Sequence, residues 1–170
     1  MAKNIILIGF MGVGKGTIAR ELIKQSGMYG VDTDDLIESM ENKKIKKIFE
    51  DSGEPYFREL EKKTAKWLEK SVTNTIISTG GGFFKVKNLN KIGTVIYLDS
   101  SFEAILSRIK NSPNAKRKLD KRPLLKDFDK AQALYKERVP LYKAKADLII
   151  NAQDRFAKDI AKEILKEVSK

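Results

Sequence analysis

Gly9-Phe10-Met11-Gly12-Val13-Gly14-Lys15-Gly16-Thr17 decides how this chain folds. Before it stands Asn4-Ile5-Ile6-Leu7-Ile8, a short apolar run of the kind that forms a strand buried on both faces. After it, residues 17–26 place Ile18, Leu22 and Ile23 on one side of a helix, with Gly27 as the stop. Strand, glycine-rich turn and helix form the context that makes the spacing G-x-x-x-x-G-K a phosphate loop. Glycines let the backbone curl so that several N–H groups face one centre. The helix N-terminus adds partial positive charge, and Lys15 is placed to reach the outer phosphates of a nucleotide. Gly12, Val13, Gly14, Lys15, Gly16 and Thr17 are therefore the candidate nucleotide-binding residues. In the motif a hydroxyl directly follows the lysine and binds Mg²⁺. Here Gly16 stands at that position and the hydroxyl comes one residue later, at Thr17, so the direct Mg²⁺ ligand stays open.

Outward from this loop, further strands are expected at 29–32, 75–79, 94–99 and 147–151. Helices are expected at 34–40, 45–51 and 54–70. Pro55 lies near the start of the last of these, and Phe57, Leu60, Thr64, Trp67 and Leu68 form its apolar stripe. Ser100 with Glu103 fits a capping box that opens a helix to about 110. Residues 111–121 are polar and basic and read as a mobile loop. Residues 124–145 read as mostly helical, interrupted near Pro140, and 155–168 as a closing amphipathic helix. Strands alternating with helices indicate an α/β fold, a parallel sheet with helices on both faces. A length of 170 residues fits a single domain, 1–170.

Composition excludes several chemistries. With no Cys and no His there is no disulfide framework, no Cys nucleophile, no Ser-His-Asp triad and no His/Cys zinc site. A metal would need oxygen ligands, which suits Mg²⁺. No window approaches the roughly 18 uninterrupted apolar residues of a membrane helix. Met1-Ala2-Lys3-Asn4 runs straight into the first strand, so no signal peptide is expected. The net charge of +11 points to a polyanionic partner, and +9 of it lies within residues 108–145.

Ligands of open parallel sheets sit beyond the carboxyl ends of the strands. Besides Lys15, that edge should carry Asp32-Thr33-Asp34 after the second strand and Gly80-Gly81-Gly82 after the third. An Asp there can accept from a substrate hydroxyl or hold Mg²⁺ through water. It can equally cap a helix. Glycines directly after a buried strand allow a ligand to approach the backbone. Arg58 and Arg138, taken alone, read as surface charges.

Together these segments resemble shikimate kinase over essentially the whole chain. The resemblance rests on Gly9-Phe-Met-Gly-Val-Gly-Lys15, Asp32-Thr-Asp34, Phe57-Arg58-Glu-Leu-Glu61, Ser78-Thr-Gly-Gly-Gly82, Arg122-Pro-Leu-Leu125 and Arg138-Val-Pro-Leu-Tyr142. It implies a three-layer P-loop kinase fold with a five-stranded parallel core, a shikimate-binding helical region at about 33–61 and a lid at about 111–125. The implied reaction is ATP-dependent phosphorylation of the 3-hydroxyl of shikimate, a step of aromatic amino-acid biosynthesis. The implied setting is a cytoplasmic monomer with Mg²⁺ as cofactor. The resemblance assigns Asp34 to the shikimate hydroxyls, Arg58 and Arg138 to its carboxylate, and Gly80, Gly81 and Gly82 to the same site. It assigns Arg122 to the phosphates and Arg108 to adenine, with Arg155 bordering adenine. Lys15, Asp34 and Arg122 become the catalytic set, and Thr17 and Asp32 the candidate metal residues.

The residue types agree with this assignment. Arginine forks take a carboxylate bidentately, and an aspartate accepts from hydroxyls. The alternative is another kinase of the same fold. Gly-Lys-Gly-Thr also occurs in adenylate kinases, but the lid of roughly 11 residues and the Asp34/Arg58/Gly81/Arg138 set argue against that or a gluconate kinase. A nucleic-acid binder is the other rival raised by the charge. It lacks an interleaved basic–aromatic platform, and a kinase site accounts for the same cations.

Overall fold

The computed structural model describes residues 3–170, so Met1 and Ala2, part of the expected leaderless start, lie outside the described residues. Five strands form one sheet: β1 (Asn4–Ile8), β2 (Tyr29–Asp32), β3 (Thr75–Ser78), β4 (Gly93–Asp99) and β5 (Leu148–Asn151). Every pairing is parallel and the order is β2-β3-β1-β4-β5. The apolar run of β1 lies at the centre and is buried throughout. The edge strands are more open: Tyr29 and Ile149 are exposed. At the amino end of the central strand the Asn4 side chain donates to Val72 O and Ile92 O and accepts from Thr75 N.

The helices are α1 (Lys15–Ser26), α2 (Thr33–Glu41), α3 (Ile45–Ser71), α4 (Leu89–Ile92), α5 (Phe102–Lys110), α6 (Ala115–Asp120), α7 (Phe128–Lys145) and α8 (Ala157–Val168). Helix α1 packs on α8, α3 on α4, and α7 on β4. Gly27 ends α1 in the left-handed conformation, with its N–H on Ile23 O. Within α3 the helix breaks at Gly53 (φ 79°, ψ 172°), so the two helices expected at 45–51 and 54–70 meet there end to end. The main core is built on the sheet. A second, smaller core joins Ile37 of α2 to Ile48, Phe57 and Leu60 of α3.

Several local expectations are corrected. Residues 111–121 hold the short helix α6 rather than an irregular loop. Its Ala, Lys, Arg and Leu are good helix formers, and it buries none of its side chains. Helix α7 runs through Pro140 without interruption; buried Arg138 and Tyr142 on either side of the proline anchor it. The N-cap of α5 is Ser101, which accepts from Ala104 N at 3.1 Å, and not Ser100, whose carbonyl takes the Tyr135 hydroxyl. The register moves by one residue and the capping box with Glu103 is lost. Trp67 is 46 % exposed and leaves the α3 stripe, while Glu61 and Ala65 join it. Helix α8 starts at Ala157, after Arg155. Short 3₁₀ turns at Phe83–Lys85 and Pro123–Lys126, and helix α4, complete the chain.

Candidate active site

The loop between β1 and α1 supplies the first half of the site. Gly12 (φ 86°) and Gly14 (φ 108°) take left-handed backbone that other residues resist. A Cβ on Gly14 would also lie 2.8 Å from Arg108 Nη2. Val13 N donates to Phe10 O and closes the curl. Lys15 is buried, and its ammonium donates to Gly9 O (2.6 Å) and Phe10 O (3.2 Å) of its own loop. Burial, and next the Arg122 charge, pull its pKa from 10.5 down to about 8.

Two further arginines converge on this loop. From α5, Arg108 donates to Gly12 O (3.2 Å) and, more distantly, to Thr17 Oγ1 (3.4 Å). From the segment after α6, Arg122 donates to Lys118 O and lies close enough to Lys15 to disfavour its charge. Burial followed by the Arg108 charge holds Arg122 itself below the ordinary arginine range.

The second half is built on the turn after β3. Gly80, Gly81 and Gly82 each face a different side chain. A Cβ on Gly80 would stand 2.5 Å from Asp34 Oδ1, one on Gly81 3.2 Å from Arg138 Nη1, and one on Gly82 2.5 Å from Arg58 Nη1. Three glycines therefore bring one carboxylate and two guanidiniums against a bare backbone. The turn is pinned to α2 by Gly80 N donating to Thr33 Oγ1 (3.0 Å), and to α7 by the Tyr142 hydroxyl donating to Gly81 O (2.6 Å).

Each of the three side chains is held in its own way. Asp32 caps α2, its Oδ1 accepting from Asp34 N (2.9 Å) and Asp35 N (3.2 Å), and so fixes the first turn that carries Asp34. Burial, then Asp32 and Glu61, push the Asp34 carboxyl from 3.8 up to about 7, against the pull of Lys15. Arg58 donates to buried Glu61 (2.6 Å) and to Glu54 (3.0 and 3.2 Å). Arg138 is buried beside the Phe84 ring, and its Nε is the one buried side-chain polar atom without a partner among the described residues. A buried donor left unpaired is costly unless a ligand takes it.

Comparisons with known proteins identify the family. A family model described as shikimate kinase matches residues 11–169. The shikimate kinase of Helicobacter hepaticus is 42% identical over 168 residues, covering 99% of this chain and 97% of the relative. That of Sulfurihydrogenibium sp. is 40% identical over 173 residues, covering 99% of each. Among solved structures, shikimate kinase from Acinetobacter baumannii in complex with shikimate aligns with a TM-score of 0.86 and 32% identity, over 99% of this chain and 94% of the other. This chain belongs to the shikimate kinase family. It is a kinase that phosphorylates shikimate with ATP.

For a shikimate kinase, the expected site residues fall into two groups. Lys15, Asp34, Arg58, Gly80, Gly81, Gly82, Arg122 and Arg138 gather around the carboxyl edge of β1 and β3. Arg108 also belongs there, with its guanidinium over the phosphate loop. Arg155 does not join them: it donates to Asn151 O (2.8 Å) and pairs with Glu163 of α8. Two members of the site escaped the sequence reading as functional residues, Glu61 and Tyr142. Spacing could have found both, since Glu61 follows Arg58 by three residues and Tyr142 follows Arg138 by four, each on the same face of its helix.

Proposed function

We propose that shikimate lies against Gly80–Gly82, with its carboxylate between Arg58 and Arg138 and the 3-hydroxyl toward Asp34 and Lys15. The observation that carries this reading is the fit of the three glycines to Asp34, Arg138 and Arg58, which sets one carboxylate and two arginine forks against the same turn. The unpartnered Nε of Arg138 is the donor that such an anion would satisfy. Asp34 is the group that orients the hydroxyl and accepts its proton. Its raised pKa suits a base working near neutrality.

On the nucleotide side, the loop amides of 12–17 cradle the phosphates. Lys15 leaves its two carbonyl partners for the γ-phosphoryl, and Arg122 and Arg108 add charge as the transfer proceeds. Phosphoryl transfer asks mainly for such positioning and neutralisation. The donor set fits Mg²⁺ held largely through water. Asp32 and Thr17 are hard oxygen donors beside the loop, and the described residues hold no cluster of three carboxylates that could cage a metal. Mg²⁺ would supply neutralisation of the phosphate charge. In this reading residues 33–61 hold the acceptor, residues 111–125 form the lid, and the enzyme is a cytoplasmic monomer.

The test is ADP release measured with shikimate, gluconate and AMP in parallel, with Lys15→Met as control. Turnover with shikimate alone, lost in Lys15→Met, is the expected result. Equal turnover with gluconate or AMP would overturn the acceptor assignment.

A further inference from the structure

Gly16 has a neighbour that the reaction has not yet used. Its backbone is not left-handed, and a Cβ there would meet only Arg20 Nη1, at 3.7 Å, an ordinary contact. Backbone conformation and packing therefore do not demand glycine at this position. The vacant side of the loop is instead faced by the guanidinium of Arg20, one turn along α1, whose Nη2 lies 3.5 Å from Thr17 Oγ1. Arg108 reaches the same hydroxyl from the other side.

These two arginines belong to a larger group. Lys118 on α6 is held below its ordinary pKa by burial and by the charges of Arg108, Arg122 and Arg20, so four cations converge over the start of α1. Among the described residues none of the four forms an ion pair with a carboxylate. Like charges gathered at a helix N-terminus repel one another and are stabilised by an anion placed among them.

We propose that Arg20 is a phosphate-binding residue of this enzyme, a fixed cation lying beside Gly16 where the motif would place a metal-binding hydroxyl. The proposal rests on the nucleotide site described above and adds to it a residue outside the loop. Arg20 neutralises phosphate charge directly, so nucleotide binding here depends less on a divalent cation held by the protein.

The experiment is calorimetric titration of ADP into the intact enzyme, once in EDTA and once with Mg²⁺, for the parent, Arg20→Ala and the double variant Arg20→Ala/Gly16→Ser. Arg20 is an exposed side chain on α1, so the melting temperature of Arg20→Ala should match the parent. In EDTA, Arg20→Ala should weaken ADP binding about tenfold, the size of one charge-assisted contact. The double variant should regain affinity with Mg²⁺ and regain none in EDTA, because the new hydroxyl acts only through the metal. Arg20→Ala binding ADP in EDTA within about twofold of the parent, as an uncoupled surface charge would, overturns the proposal. So does rescue by Gly16→Ser that is equal with and without Mg²⁺. Shikimate-dependent ADP release by the parent tests the underlying reading separately.

Discussion

The two halves of the site handle their cations in opposite ways. On the side proposed to bind the acceptor, Arg58 is held by Glu54 and Glu61, while Arg138 is buried beside Phe84 and packed over Gly81. On the side proposed to bind the nucleotide, Arg20, Arg108, Lys118 and Arg122 crowd one another without a carboxylate partner among the described residues, and Lys15 rests on the carbonyls of its own loop. In the proposed reading, the acceptor clamp is organised before its ligand arrives. The nucleotide side is completed by the charge of the ligand itself. Specificity for a small acid gains from the first arrangement, since a fixed fork loses little freedom on binding. Closure over a polyphosphate gains from the second, since cations that repel when alone converge on an anion.

The largest effect that can break this contrast is on the nucleotide side. Arg122→Ala should lower kcat by about a hundred- to a thousandfold, the scale of a lost transition-state charge contact. Its shikimate KM should change little, because Arg122 lies by Lys15 rather than by the glycine turn. Steady-state kinetics check both, and an unchanged kcat would remove Arg122 from the transfer step.

The acceptor side gives a paired prediction of intermediate size. Arg138→Met and Arg58→Met should each raise the shikimate KM about ten- to a hundredfold, the equivalent of a charge-assisted hydrogen bond of about 1.5–3 kcal/mol. Their effects on stability should differ. Arg138→Met removes an unpartnered buried donor, so its melting temperature should not fall. Arg58→Met strips buried Glu61 of its ion pair and should lower the melting temperature. Equal melting temperatures would show that the two arginines are held alike.

The smallest effect is in pH. As the proposed base, Asp34 has to be ionised to accept a proton, so kcat/KM should rise as pH passes about 7. Lys15 must be cationic, so kcat/KM should fall above about 8. Stability runs the other way on the acid limb. The folded Asp34 titrates at about 7 against 3.8 for the ordinary carboxyl, so the native state binds the extra proton and loses stability as pH rises between those values. Asp34→Asn should abolish the acid limb of the rate profile and flatten that part of the stability curve. A profile that keeps its acid limb would assign the base elsewhere.

What the sequence made legible was local. The phosphate loop is nine consecutive residues whose glycines and lysine carry their meaning in their spacing, and the strands are continuous apolar runs. The break at Gly53 was visible as Gly-Glu-Pro between two helical patterns. Elements without a period were not visible. Helix α6 has no apolar stripe, and α4 and the 3₁₀ turn at Phe83–Lys85 are too short for one. Two adjacent serines left the cap of α5 ambiguous, and only the hydrogen bond of Ser101 resolves it. Arg138 shows the same limit within the site. On its helix it has the look of a solvated charge, and the family resemblance rather than its local pattern marked it out. Its burial follows from α7 lying over Gly81, a contact between residues 57 positions apart that no window of sequence contains.

The break at Gly53 reaches further than the shape of one helix. On one side of it, Ile48 packs with Ile37 of α2 in the small core. On the other, Ala65 and Leu68 are rooted in the main core, while Phe57 and Leu60 still reach into the small one. Arg58 and Asp34 are thus carried on elements that share a few-residue core of their own, joined to the rest of the protein by the half of α3 after Gly53, by β2 and by the contacts of Thr33, Asp34 and Arg58 with the glycine turn. We expect such a unit to open before the sheet does, since few side chains are buried between its helices. Its backbone amides would trade hydrogen for deuterium through a local excursion, long before the sheet beneath it unfolds. The elements proposed to hold the acceptor would then exchange faster than the strands beneath them, and the two halves of the proposed site would part without the sheet coming undone.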